Sequence, residues 1–219
     1  MLSKRLTMIL DLIEPCENLA DIGSDHGYLA VEAVMSHRAL QVISSDVRFG
    51  PLKQAQQTFA KANVFENVSY VISDGLQAIE TLPDAVIISG MGAELILTII
   101  TNDLERFKLI PQIVVQANTK LDVLRKGMAE LGFTMRREAV VKDGFFYIGQ
   151  SYRFTGLCEE LDVFQSHYGM MIDQNDPVYT EYLRSELDRQ IHILRTNPNS
   201  SKHKALFELI KTRLDKRVD

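Results

Sequence analysis

The sequence predicts an α/β protein, built on a mostly parallel seven-stranded sheet whose last strand runs antiparallel and followed by a helical hairpin. Three observations carry this expectation. From residue 19 onward, short runs rich in Val, Ile and Ala alternate with longer amphipathic stretches, the pattern of βαβ units around a buried parallel sheet. Asp143-Gly144 then separates two β-rich runs, the strongest short-range signal for a hairpin. After Phe154 the β signal gives way to helical spacing.

Taken in order, Ser3 can cap a first helix whose apolar residues Leu6, Ile9, Leu10 and Ile13 follow helical spacing, and Pro15 closes it. Strands are expected at 19–23, 41–46, 68–73, 85–90 and 113–116, with helices at about 27–37, 50–63, 92–106 and 119–131. The hairpin supplies two more strands, the last inserting beside the fifth. Residues 158–219 read as helices, with an acidic run through Glu159, Glu160 and Asp162 and a break at Asn175-Asp176-Pro177. Tyr179, Tyr182, Leu183, Leu187, Ile191 and Leu194 then line one face of a long helix. Residues 197–201 break it, and Leu206, Leu209, Ile210 and Leu214 mark the last helix. The apolar stripe reads as a seam between these two helices, the other reading being a dimerisation surface; a monomer is expected. The division is accordingly 1–155 for the α/β domain and 156–219 for a helical domain.

Composition narrows the class. The 219 residues are 46% hydrophobic and 24% charged, which fits one globular domain with a small appendage and excludes low-complexity disorder. No apolar run approaches the roughly 20 residues that span a bilayer. The N-terminal apolar stretch is interrupted by Asp11 and Glu14, so it reads as a helix rather than a signal peptide. Cys16 and Cys158 stand far apart and outside any CxxC or Cys/His cluster, which argues against a disulfide framework or a metal site. A cytoplasmic protein is expected. Net charge is −5, yet residues 184–219 hold nine Lys/Arg against five Asp/Glu, while residues 1–183 hold fifteen against twenty-four. That tail is either a basic patch or a set of solvated helix faces.

The chemistry concentrates at strand ends. Ala20-Asp21-Ile22-Gly23-Ser24-Asp25-His26-Gly27-Tyr28 is a strand running into a Gly-spaced loop that opens a helix, a place where a backbone can approach a ligand closely. Neither GxGxxG nor GK[ST] is present, so phosphate binding is poorly supported. Asp46 ends the second strand 23 residues after Gly23, where ribose-hydroxyl binders sit in doubly wound folds. After the third strand, Asp74 of Ser73-Asp74-Gly75 can accept from an exocyclic adenine amine. Taken singly, a strand-end aspartate more often caps a helix or turn than binds a ligand. In register, one carboxylate for an amino group, one for ribose and one for adenine describe S-adenosylmethionine, a cofactor without phosphates.

Together with these loops, LSKRL at 2–6, ADIGSDHGYL at 20–29, GP at 50–51, DGL at 74–76, GMG at 90–92 and QAN at 116–118 resemble the bacterial tRNA (adenine-22-N1)-methyltransferases, the TrmK family. The resemblance implies a Rossmann-like, class I S-adenosylmethionine-dependent methyltransferase domain, tRNA as substrate, and a coiled-coil-like C-terminal domain. By position it implies that Asp21, Gly23, Ser24, Asp25 and His26 line the methionine end of the cofactor. Asp46 would hold the ribose, Asp74 and Gly75 the adenine ring, and Gly90, Met91 and Gly92 the floor beside the methyl. Four positions depart from the family pattern: Ala93 for Gly, Ala117 for Pro, Gly27 for Ala and Asp46 for Glu. Ala93 would be strained if its place required φ > 0.

Methylation at N1 of adenine needs no strong base, because the ring nitrogen has an in-plane lone pair. Asp25 is the first candidate to offset the positive charge that appears on the ring, the alternative being an Asx-turn role. Asn118 is the candidate to position the base, since an amide both donates and accepts. No [DNS]PP[YFW] motif follows the fourth strand; Ser89-Gly90-Met91-Gly92 occupies that place, which favours a ring nitrogen over an exocyclic amine. His26 reads as a proton carrier, a base-stacking partner or a structural hydrogen-bonder, and Tyr28 as a stacking or packing ring. RNA contacts are expected from Lys4, Arg5, Arg136 and Arg137, and above all from the tail's Arg189, Arg195, Lys202, Lys204, Lys211 and Arg213. The rival functions are a small-molecule methyltransferase on the same fold and a non-catalytic protein that binds the cofactor or RNA.

Overall fold

The computed structural model describes residues 2–216; positions 217–219 of the expected helical domain lie outside them. Helix α1 (Lys4–Leu12) is capped by the Ser3 hydroxyl, which accepts from the Leu6 N–H. Then follow β1 (Cys16–Ile22), α2 (Tyr28–Met35), β2 (Ala39–Asp46), α3 (Phe49–Lys61), β3 (Val68–Ile72) and β4 (Ala85–Gly92). The stretch expected as one helix at 92–106 divides into α4 (Ala93–Asn102) and α5 (Leu104–Phe107), because Asp103 takes a non-helical conformation between them. Next come β5 (Gln112–Thr119), α6 (Leu121–Glu130), and the hairpin strands β6 (Phe133–Asp143) and β7 (Phe145–Phe154), joined at Gly144 with φ +74°.

The sheet order is β3-β2-β1-β4-β5-β7-β6, with β7 antiparallel to both of its neighbours. Strand order reverses between β1 and β4, so a crevice opens at the carboxyl ends of those strands. Alternation along the strands splits the core: Leu19, Ile87 and Val114 pack beneath α1 and α2, whereas Ala20, Val86 and Ile113 meet Ile96, Ile100 and Leu124 from α4 and α6.

The β5–β7 ladder ends at Gln116↔Gly149. Beyond that point β5 follows β4, pairing Gly92 with Thr119, while β7 continues with β6 to the turn. The two strands diverge, and a second crevice opens between them.

The tail holds α7 (Val163–Tyr168), α8 (Pro177–Thr196) and α9 (Ser201–Asp215), so helix begins later after residue 158 than the periodicity predicts. Each has a side-chain cap: Asp162 in a capping box, Asp176 and Ser200. Tyr179, Leu183, Leu206 and Ile210 form the seam between the long helices, and Val140 and Ile148 of the sheet join the same cluster. The seam is thus shared with the α/β body. A buried ion pair reinforces the junction. Arg125 on α6 meets Glu138 on β6 at 2.7 Å, both side chains fully enclosed, and donates to Ser166 O at 2.8 Å. Glu138 also accepts from Gln150 and from the Met170 and Met171 N–H groups.

Candidate functional site

At the switch between β1 and β4 lies a cavity of about 550 Å³, lined by the ends of β1 to β4, the start of α2 and one face of α4. The loop after β1 is held by backbone: the Gly23 and Ser24 N–H groups both donate to Ser45 O, at 2.8 and 2.9 Å, and Asp25 N–H to Gly23 O. Gly23 has φ +76°, and a Cβ there would stand 2.1 Å from Met91 Cε. No other residue fits that place without displacing Met91. Gly27 has φ +69° with Ala55 against it, so this departure from the resembled pattern suits the local backbone. Ala93 opens α4 without a positive φ and carries no strain.

Four carboxylates meet this cavity. Asp21 is 5% exposed, and burial pushes its carboxyl up to about 6, with Ser24 alongside opposing the rise. Asp46 is buried and accepts from Arg48 N–H at 2.9 Å through one oxygen, which leaves capacity for a pair of hydroxyls. Asp74 is exposed beside a turn braced by Ser73 Oγ, which donates to Gly75 O and accepts from Ala78 N–H, both at 3.0 Å. Asp25 is 69% exposed, with His26 Nε2 3.4 Å from its carboxylate. The His26 ring stacks on Tyr28 at 5.6 Å between centroids, so both rings stand at the mouth and neither fills the core. Gly75, Gly90 and Met91 are part of the lining, while Gly92 caps α4 just outside it. Arg5, Val47, Leu95 and Ile99 also line the cavity, though sequence reasoning did not place them there.

Asn118 stands outside this cavity yet reaches its floor. Its amide donates to Gly90 O at 2.7 Å and accepts from Gln116 Nε2 at 3.0 Å, and Arg5 Nη1 donates to Gln116 Oε1 at 3.4 Å. Asn118 and Arg5 also line the crevice between β5 and β7, a second cavity of about 740 Å³ that extends to α8 and α9. Of the expected RNA contacts, Arg5, Arg189 and Lys202 line this second cavity. Lys4, Arg195, Lys204 and Lys211 are exposed but line neither cavity. Arg213 lies 4.9 Å over the Phe164 ring. Arg137 donates to Asp11 O, and Arg136 faces the opposite end of the strands beside Glu14 and Glu17.

Among the described residues no group of three or more His, Cys, Asp or Glu side chains could hold a metal ion, and no helix is long and apolar enough to cross a membrane. Cys16 and Cys158 are free thiols.

A family model described as a methyltransferase domain matches residues 2–148. The tRNA (adenine(22)-N(1))-methyltransferase of Bacillus subtilis (strain 168) is 29% identical over 143 residues, which are 65% of this chain and 60% of that protein. Among solved structures, a protein of the NADB-Rossmann superfamily from Streptococcus agalactiae is 25% identical, with a TM-score of 0.87 over 98% of this chain and 97% of that one. M. capricolum TrmK, in complex with S-adenosyl-homocysteine, is 26% identical, with a TM-score of 0.80 over 100% of this chain and 98% of that one. The structural likeness therefore includes the helical tail.

Proposed function

Because the chain belongs to the methyltransferase-domain family, we propose that it transfers a methyl group from S-adenosylmethionine to N1 of adenine 22 in tRNA. The observation that carries this reading is the meeting of three strand-end carboxylates, Asp21, Asp46 and Asp74, in one cavity that has no phosphate loop. The likeness to the B. subtilis enzyme supports the target nucleotide.

The residues present fit the cofactor. Asp21, buried and half-neutral at mild acidity, suits a ligand ammonium, and Gly23, Ser24, Asp25 and His26 surround the same end. Asp46 suits the ribose, Asp74 and Gly75 the adenine, and Gly90 with Met91 the floor. When bound, S-adenosylmethionine supplies an electrophilic methyl group. The protein's own work is to orient the base and answer the charge that develops on it. Asn118, fixed between Gln116 and Gly90, has one amide hydrogen and one lone pair left to hold the adenine edge. Asp25 carries the exposed carboxylate at the mouth, where it offsets positive charge on the ring. Residues 156–219 serve as the RNA-binding appendage of the 1–155 domain, and the chain acts in the cytoplasm as a monomer.

The test is methyl transfer from labelled S-adenosylmethionine to unmodified bulk tRNA, with the product nucleoside identified by mass and its position mapped. Appearance of 1-methyladenosine at position 22, with a loss of at least 100-fold in kcat/KM for Asp25→Ala, is the expected outcome. Cofactor binding without methylation of any tRNA base would overturn the proposal.

A further inference from the structure

Resting on the reading above, we infer that the crevice between β5 and β7 seats a nucleotide adjoining the target adenine, its base on Phe145 and its phosphates on Lys202, Arg189 and Arg5. Four features converge there. The crevice is formed by a split in the sheet, because β7 loses β5 as a partner beyond Gly149 while β5 turns toward β4. It is basic on an acidic molecule: Arg5, Lys120, Arg189 and Lys202 line it against Asp122 and Glu186, whereas the whole chain has a net charge of −5.

Phe145 is 75% exposed on its rim. A lone exposed phenylalanine is ordinary on a protein surface; one set on the rim of a basic crevice is the arrangement by which proteins hold unpaired nucleotides, with phosphates on cations and bases on rings. Tyr147, on the same face of β7, is already covered by the Arg5 guanidinium at 5.5 Å, so Phe145 presents the available ring. The end of β6 that carries the turn is tied to two helices: Arg5 N–H donates to Asp143 at 3.3 Å, and Lys142 pairs with Glu181 of α8.

The fourth feature is continuity. Arg5 lines both cavities, and Asn118 lines the second while donating to Gly90 on the floor of the first. A strand lying in the crevice therefore delivers its next base across Asn118 toward Gly90. Some of the cations are partly engaged, Lys120 with Glu94 and Arg189 with Glu186. Lys202 is in none of these pairs, which makes it the leading phosphate contact.

The experiment is steady-state kinetics on tRNA with the full chain, alongside cofactor titration. Phe145→Ala is expected to raise KM for tRNA about 5- to 100-fold, the worth of one stacked base, and Phe145→Tyr to restore it to within about threefold, with S-adenosylmethionine affinity unchanged in both. Lys202→Ala should lower the slope of log KM against log salt by about 0.7 to 1, the loss of one phosphate contact, and Lys61→Ala, distant on α3, should not. If the unaltered protein methylates tRNA and Phe145→Ala leaves KM within twofold, the crevice assignment alone fails. If the unaltered protein binds cofactor but methylates no tRNA, the substrate reading fails and takes this inference with it.

Discussion

The two cavities sit side by side and are built in opposite ways. The first is made of backbone: its shape comes from the consecutive ends of β1, β2 and β3, from Gly23, Gly75 and Gly90 at positive φ, and from short side chains whose reach is fixed. The second is made of long side chains on seven separate elements, α1, β5, α6, β7, α7, α8 and α9, and its helical walls are attached to the body through the Arg125–Glu138 pair and the shared seam. A backbone-built cavity holds a small ligand in one pose. Long cationic side chains and an exposed ring suit a polymer whose backbone and bases must be followed.

From that contrast, one substitution should damage the second cavity and spare the first. Glu138→Gln keeps the shape of the side chain but leaves the enclosed Arg125 guanidinium without its counter-charge, and breaking such a pair costs about 3–5 kcal/mol. Burial opposes ionisation of Glu138, yet Arg125, Gln150 and the Met171 and Met170 N–H groups hold its carboxyl below the usual range. The pair anchors α7 through Ser166 O and the turn at Met170 and Met171, so the loss is expected first in the tail. Denaturant unfolding followed by a probe in α8 should show an earlier transition than one in β1, with S-adenosylmethionine affinity preserved well below both midpoints. A single coincident transition, with cofactor affinity falling in step, would show that the two cavities are one mechanical unit.

The same contrast explains what could be read from the chain. The first cavity was legible because its carboxylates follow their strands directly, so that Asp21, Asp46 and Asp74 can be placed once the βαβ pattern is seen. The hairpin at Gly144 and the strand inserted beside β5 were legible for a similar, local reason. The split of the 92–106 helix was not, since Asp103 is no worse a helix former than several residues that remain helical. Nor was the second cavity. Arg5, Asn118, Phe145, Arg189 and Lys202 carry no shared motif, and only the divergence of β5 from β7 brings them together. Reading tail cations by charge alone therefore mixed Arg189 and Lys202, which line the crevice, with Arg195, Lys204 and Lys211, which do not.

Asp21 sharpens the comparison from the other side, because the backbone cavity stores an electrostatic cost. Its carboxyl sits at about 6 in the fold against an ordinary value of 3.8, so between about pH 4 and pH 6 the folded state holds more proton than the unfolded. Stability is then fully present below the unfolded value, falls as pH rises through this window, and levels off above it, a change of roughly 2–3 kcal/mol. Asp21→Asn should remove that slope and leave the cofactor-free protein more stable at pH 7 to 8. Its S-adenosylmethionine affinity should fall at least tenfold, since the ammonium loses its counter-charge. Thermal unfolding across pH 4 to 8, with and without cofactor, checks both arms; an unchanged slope in the variant would assign the pH response to another group.

The smallest expected effect separates packing from recognition within the tail itself. Arg213 is a cation on a basic helix, and by charge alone it belongs with the RNA contacts. Its guanidinium, however, lies over the Phe164 ring at 4.9 Å and is turned toward α7, away from the crevice that Lys202 lines. A half-buried cation on an aromatic face contributes about 0.5–1 kcal/mol, part of it through the packing of the alkyl stem. Arg213→Ala should therefore lower unfolding stability by about that much while leaving KM for tRNA and its salt slope unchanged, the reverse of the pattern expected for Lys202→Ala. Arg213→Met, which retains the stem and loses the charge, should recover part of the stability. A salt slope that drops as far in Arg213→Ala as in Lys202→Ala would mean that RNA reaches around α9, and that the crevice between β5 and β7 is only one edge of a larger surface.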